Sequence, residues 1–518
     1  MPAPASSARV AHLGVVTRDR LPQLKRCVTS FLRHLRDCGR VCEIGVCDDS
    51  ESPAVRESCR ELLGALARRY GVAIGYAGRE EKTEYVDRLI ALGIAPSAAH
   101  FALSNTSEIA QSPGANRNAF LLHFAGAAFL ACDDDCVCQV EDLREGLQTA
   151  TAAAFAPTAD RTHFLASERA ERRPPGPSRD LVAAHEELLG RPLRELVFPI
   201  CCNGGPRRAA AFAPRVFSDL AEGRGRVAVT ISGVRGDSGI PHAVPFMTAT
   251  GEGRARFLGA WAAGNGCHAT RSVRIGPENP ILSWQGPLAT TTATGFDHRE
   301  LLPPFSPAGR GEDSLFGLML GKCAPDAYIG YVPATLLHAP AGPRSYGPLP
   351  AKSGLIEILG FALSGCADPF AGSPVERMKA IGRYLADCGR AGFEDFVAYL
   401  LRSARRARWN TIGGCERLLE AYRGEPAFWA AEMERWIASL ESGLTGGDAA
   451  VPADLVSGGA AAEAYRWAQS YVARFGELLA CWPDIVSAAK QLNAAGHGVC
   501  RTLNRPLMLS VNSNCGGL

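Results

Sequence analysis

The chain has 518 residues, with 55 basic and 53 acidic side chains and a formal net charge of +2. That length is more than one ordinary core serves and predicts two or three domains, while so even a balance of charge argues against nucleic acid or a polybasic membrane arm as partner. Its 18 cysteines, in a chain that opens MPAPASSARV without the regions of a secretory signal, predict reduced thiols in a cytoplasmic protein.

VAHLGVVT, residues 10–17, is a short β-branched run of the kind that makes a strand buried on both faces. A helix follows, its face carrying Leu21, Leu24, Val28, Phe31, Leu32 and Leu35 and its end marked by Gly39. VCEIGVCDDS predicts a second strand ending in acids, then come a helix from Pro53 to about Tyr70 and a third strand, VAIGYA. This β-α-β-α-β pitch predicts a parallel sheet wrapped by helices, with ligands bound beyond the carboxyl ends of its strands. AFLLHFAGAAFLAC, residues 119–132, is shorter than the ~20 residues of a membrane span and is expected to be a helix end running into a buried strand.

Beyond Cys138 the pattern loosens. ERAERRPPGPSRD predicts an exposed connector, and from Val197 to Thr294 strand-like runs alternate with glycine-rich turns, an elaboration of the same domain at about 140–290. A second linker, APAGPRSYGPLPAKSG, places a domain boundary near Tyr346: an α/β domain over 1–345, and over 346–518 an all-α domain. Within the latter, Ser373, Pro374 and Glu376 spell a capping box. SGLTGGDAAVPADLVSGGAA divides the helical part once more, and the polar tail RPLMLSVNSNCGGL carries no structural signal.

FLACDDDCVCQ sets Asp133, Asp134 and Asp135 directly after an apolar run. Like charges ~4 Å apart repel by about 1 kcal/mol in water and about 4 at a protein surface. Either solvent bathes them or a cation does. Cys132, Cys136 and Cys138 lack the paired spacing of a zinc site.

Ordered pieces across residues 9–345 resemble family 2 glycosyltransferases of the GT-A fold, a Rossmann-like nucleotide-diphospho-sugar transferase architecture. VVTRDRLPQLKRCVTSF is similar to the family's opening strand, turn and helix; VCDDSES to the acidic turn that recognises base and ribose; and GANRNAFLLHFAGAAFLACDDD to the stretch in which a Gly, an Arg-Asn pair and a strand lead into a metal-binding DxD. TTTATGFDHRELLPPFSPAGRGEDSLFG resembles the acceptor-side segment with its acidic ED pair, and ATLLHAPAGPR supplies a later histidine.

The resemblance implies Mn²⁺ or Mg²⁺ on Asp133, Asp135 and His338, a nucleotide sugar (a UDP-sugar first) against Thr17, Arg18, Asp48, Asp49, Arg117, Asn118, Asp133 and Asp134, and Asp313, with Glu312 as alternate, as general base. Transfer of one sugar is implied, since no QxxRW signature of processive members is present, and inversion is implied as the family's usual outcome with Asp313 as base. The acceptor is left open as glycan, peptide or small molecule. Plainer roles stand beside these: caps for Asp48, Asp49 and Asp313, a packed strand end for His338, a turn for Arg18. So does a GT-A-like nucleotide-binding or scaffold protein without turnover. An aspartyl-phosphate phosphotransferase is disfavoured, because CDDDC lacks the threonine two residues on.

Overall fold

The computed structural model describes residues 8–104, 109, 113–144, 151–153, 158–165, 179–197, 213–265, 272–284, 286, 293–342, 349–350, 352–366, 372–444, 450–455 and 460–503. Most of the first connector, the boundary near Tyr346 and the tail beyond residue 503 lie outside these. In chain order the strands are Val10–Thr17 (β1), Glu43–Asp48 (β2), Ile74–Ala77 (β3), Ala128–Asp133 (β4), Cys136–Asp142 (β5), Thr151–Ala153 (β6), Thr162–Phe164 (β7), Arg226–Gly236 (β8), Val273–Ile275 (β9), Ile281–Ser283 (β10), Ala293–Asp297 (β11), Ala327–His338 (β12) and Arg501–Thr502 (β13). The first five helices are Leu21–Asp37 (α1), Pro53–Tyr70 (α2), Arg79–Ala91 (α3), Pro96–Leu103 (α4) and Gly114–His123 (α5).

All these strands join one mixed sheet, whose main path runs β13-β3-β2-β1-β4-β11-β8-β12-β10-β6. β3, β2, β1 and β4 are mutually parallel, β11 is antiparallel to β4 and β8 to β11, and β12 lies parallel to β8. The chain is thus an α/β protein with a large mixed sheet and extensive helix.

Alternation decides which face each strand residue serves. Leu13, Val15, Ile44 and Val46 pack with Leu24, Phe31 and Leu32 of α1 and Cys59 and Leu63 of α2. Val16, Cys47 and Ala77 point the other way, into a core with Tyr85 and Leu89 of α3, Phe101 of α4 and Phe120 of α5. Covered on both sides, these strands need apolar residues at every position, which is why they read as unbroken apolar runs. Among the described residues between 197 and 294 the structure adds helical segments at Pro214–Ala221, Val244–Met247, Gly251–Ala260 and Trp261–Asn265 to the expected strands and turns.

The expected boundary at residue 345 does not separate two cores. Helix Ala461–Ala494 buries Tyr471, Phe475, Leu478, Trp482 and Ile485 in the same core as α3, α4 and α5. Trp482 Nε1 donates to Leu302 O at 2.8 Å, and Asn493 Nδ2 donates to Leu122 O and His123 O, each at 2.9 Å. β13 then pairs antiparallel with β3 and closes the sheet edge. The physical reason is cover: a sheet face so apolar requires one, and the buried side of the long C-terminal helix joins α3, α4 and α5 in that core. The capping box is in place, with Ser373 N donating to Glu376 Oε2 at 2.8 Å and Pro374 opening helix Pro374–Arg390.

Burial pushes His185 down to about 3 and His298 down to about 4. Both rings stay neutral in the fold while the unfolded chain takes up protons below about pH 6.5. Stability present above that value is therefore lost as pH falls, by up to about 1.4 kcal/mol per pH unit for each ring. The urea midpoint is expected to decline between about pH 6.5 and 4.5, less steeply in His185→Gln. An unchanged slope in that variant would assign the acid sensitivity elsewhere.

Candidate functional site

Three parallel strands end together. Thr17 of β1 lies opposite Asp48 of β2, and Val16 opposite Asp133 of β4, so Thr17, Asp48, Asp49 and the acidic trio share one end of the sheet. β12 brings His338 to the same end, paired with Cys136 just after the trio, and Ala339 N donates to Asp135 O at 2.9 Å.

The acids are partly balanced from within the chain. Arg20 Nη1 lies 3.3 Å from Asp134 Oδ1 and 3.3 Å from Asp135 Oδ2, and Thr17 Oγ1 donates to Asp134 Oδ2 at 2.7 Å. Asp133 is taken by Arg117, whose Nη2 donates to its Oδ1 at 3.0 Å. Arg117 Nε also donates to Glu312 Oε1 at 2.9 Å, joining the acidic turn to the start of helix Glu312–Cys323. Burial, with Asp135 adding to it, pushes Asp134 up to about 7. Glu312 is likewise pushed up to about 7 by burial, Arg117 opposing and Asp313 and Asp133 reinforcing. Asp313 is the more accessible of the pair, and its Oδ1 accepts from Ser314 N at 2.8 Å.

His338 has a defined tautomer. Its Nδ1 lies 2.7 Å from the carbonyl of Asp237, which can only accept, so the proton resides on Nδ1. Nε2 then faces Asp135 Oδ1 at 3.2 Å. Two acceptors at that distance require a proton or a cation between them, and imidazole oriented by a backbone carbonyl is a familiar metal-ligand arrangement. Asp135 and His338 therefore fit a divalent cation. Asp133 is turned to Arg117 instead, and the expected trio of ligands does not converge on one point. Among the described residues only His34, Cys38 and Asp180 bring ligand atoms within 4.8 Å of one another. There His34 Nε2 accepts from Leu181 N and Asp180 is paired with Arg40, so the donors are already occupied.

The end of β2 forms an adjoining cluster. Asp49 N donates to Thr17 O at 3.1 Å, and buried Lys82 donates both to Asp49 and to Asn116, which neighbours Arg117 on α5. Asp49 Oδ2 is buried without a hydrogen-bond partner among the described residues.

Three expected ligand contacts do something else. Asn118 is 0% exposed and its amide is saturated by backbone: Nδ2 donates to Ala102 O and Phe305 O, and Oδ1 accepts from Phe305 N. Asp48, also 0% exposed, accepts from Ser50 N and Tyr76 Oη. Arg18 points outward to Glu51 at 2.7 Å. Residues that sequence reasoning passed over are Arg20, Asn116 and Lys82. The first two stand two places from Arg18 and Asn118 in the same motifs; Lys82 sits in a helix whose sequence gives no sign that a lysine is buried.

Among the described residues no helix is long and apolar enough to cross a membrane. No family model matches the chain, and no curated protein matches it in sequence.

Proposed function

We propose that the chain is a metal-dependent glycosyltransferase with a GT-A-like fold, transferring one sugar from a nucleotide-sugar donor, a UDP-sugar first, to an acceptor with inversion. One observation carries the reading: Arg117 bridges Asp133 and Glu312, so the acidic turn and the helix start bearing the expected base meet at the strand ends. Ligands of α/β sheets bind beyond such strand ends.

Asp135 and His338 would hold Mn²⁺ or Mg²⁺. When bound, the cation would supply positive charge to the leaving diphosphate. Asp49 offers its buried acceptor oxygen to the nucleoside, beside Lys82. Asp313 takes the acceptor's proton as the acceptor atom bonds to the anomeric carbon and the bond from that carbon to phosphate oxygen breaks, its electron pair leaving with the diphosphate. Glu312, 4% exposed and gripped by Arg117, orients that arginine rather than acting as base.

A second reading, a nucleotide-binding protein without turnover, is favoured by the way Arg20 and Arg117 already partly balance the trio. Thermal melts with nucleoside diphosphates and MnCl2, together with hydrolysis of radiolabelled donors, separate the two. Saturation at 100 times Kd is expected to add about 2.7 kcal/mol of stability, with metal-dependent hydrolysis that falls at least 100-fold in Asp135→Ala. Binding without hydrolysis would select the second reading; no metal-dependent nucleotide binding would defeat the first, and no nucleotide binding with or without metal would defeat both.

A further inference from the structure

We propose that Arg20 is a displaceable counter-ion: it partly balances Asp134 and Asp135 in the metal-free protein, yields to the divalent cation, and then turns to the donor's diphosphate. The inference rests on the proposed function.

Two arginines serve the acidic trio, and they are held differently. The Arg117 side chain is 7% exposed and fixed at 2.9 Å to Glu312 and 3.0 Å to Asp133. Arg20 is 51% exposed, and both of its contacts are 3.3 Å long. Charge-assisted bonds are strongest at about 2.7 to 2.9 Å, so Arg20 has the looser grip and an open path to solvent. Its targets keep other anchors when it leaves: Asp134 keeps Thr17 at 2.7 Å, and the Asp135 carbonyl keeps Ala339 N at 2.9 Å.

A cation seated on Asp135 and His338 would lie close to the guanidinium and repel it. Where Arg20 goes is limited by its backbone. It is the N-cap residue of the 17-residue α1, preceded by Asp19 in the left-handed region at φ 53. The side chain therefore remains at the helix N-terminus, where the positive end of the dipole favours an anion. A guanidinium fork there suits diphosphate oxygens. The same residue would thus hold the acids together before loading and the donor afterwards.

Calorimetric titration of MnCl2 alone, then of UDP at saturating MnCl2, into wild type, Arg20→Gln and Arg20→Lys tests this, with melting curves to establish that each variant is folded. Arg20→Gln is expected to bind Mn²⁺ alone at least tenfold more tightly and UDP at least tenfold more weakly. Arg20→Lys, which keeps the charge without the fork, is expected to match wild type for Mn²⁺ while binding UDP less well. Unchanged or weaker Mn²⁺ binding by Arg20→Gln, with wild type binding the metal, would overturn the counter-ion role alone. Absence of Mn²⁺ binding by all three would remove the glycosyltransferase reading and this inference with it.

Discussion

Arg117→Met is expected to lower the unfolding free energy by about 3 to 5 kcal/mol near pH 8, because it leaves a buried carboxylate without its counter-charge. Glu312 is 4% exposed and Arg117 6%, and their bond at 2.9 Å joins residues 195 positions apart. Methionine fills the volume without a charge, so the loss reports electrostatics more than a cavity. The effect has a pH signature. Burial already pushes Glu312 up to about 7, with Arg117 as the opposing influence, and without Arg117 the carboxyl rises further. A raised carboxylate means that the folded state holds a proton the unfolded chain releases above about pH 4.3. That contribution stabilises at low pH and is lost as pH rises through the folded value. The penalty should therefore be smaller at pH 6, where Glu312 in the variant is neutral, than at pH 8. Urea titrations at the two pH values check this. An equal penalty at both would mean that Glu312 is not the group left stranded.

Much of the scaffold around this pair was legible, for a physical reason. β1 spans the residues expected of it, Val10–Thr17, and α2 runs over Pro53–Tyr70 as read, because parallel strands covered on both faces are continuous apolar runs and their punctuation by Gly, Pro and acids is local. Gly71 at φ 64 is a helix stop of that kind. The positions of the acidic stretches at strand ends followed from the same pattern. What was not legible depends on partners far apart in sequence. β13, two residues long, exists only because β3 offers an edge. The long C-terminal helix reads as a separate helical unit until Leu302, Leu122 and His123 are seen to accept its Trp482 and Asn493.

The site divides along the same line. Residue types and strand ends could be read locally, and they gathered Thr17, Asp49, Arg117, the acidic trio, Glu312, Asp313 and His338 at one end of the sheet. Direction could not. Whether Asn118 faces a ligand or the backbone is decided by Phe305, 187 residues away. Whether Arg18 or Arg20 reaches the acids is decided by the turn at Asp19, where a single left-handed residue reverses the chain into α1. The charge that the three carboxylates require was predictable from their sequence; that two arginines of the chain itself supply part of it was not.

Gly114→Ala is the most severe test of how Arg117 is positioned. Gly114 opens α5, three residues before Arg117, and a Cβ there would lie 1.8 Å from Ser306 O and 2.8 Å from Ser306 C. Those are backbone atoms, and they have nowhere to retreat. Phe305 N is held by Asn118 at 2.8 Å, while Tyr471 Oη accepts from Ala308 N at 2.9 Å and contacts Ser306 Oγ at 3.0 Å. The segment is thus fastened to α5 on one side and to helix Ala461–Ala494 on the other. Overpacking that side chains can absorb costs typically about 1 to 3 kcal/mol; here backbone must move against backbone, and a loss of about 3 kcal/mol or more is expected. Gly39→Ala supplies the control, since Gly39 has φ +65 and nothing within 4 Å of a Cβ. It carries only the cost of a left-handed alanine, about 1 to 2 kcal/mol. Because α5 carries Arg117 and Asn116 together, Gly114→Ala should also weaken the proposed nucleotide binding, whereas Gly39→Ala should not. Urea midpoints of the two variants, read beside nucleotide-dependent melting shifts, give both comparisons; a Gly114→Ala protein no less stable than Gly39→Ala would show that α5 can shift away from Ser306, and that Arg117 is placed by something other than this contact.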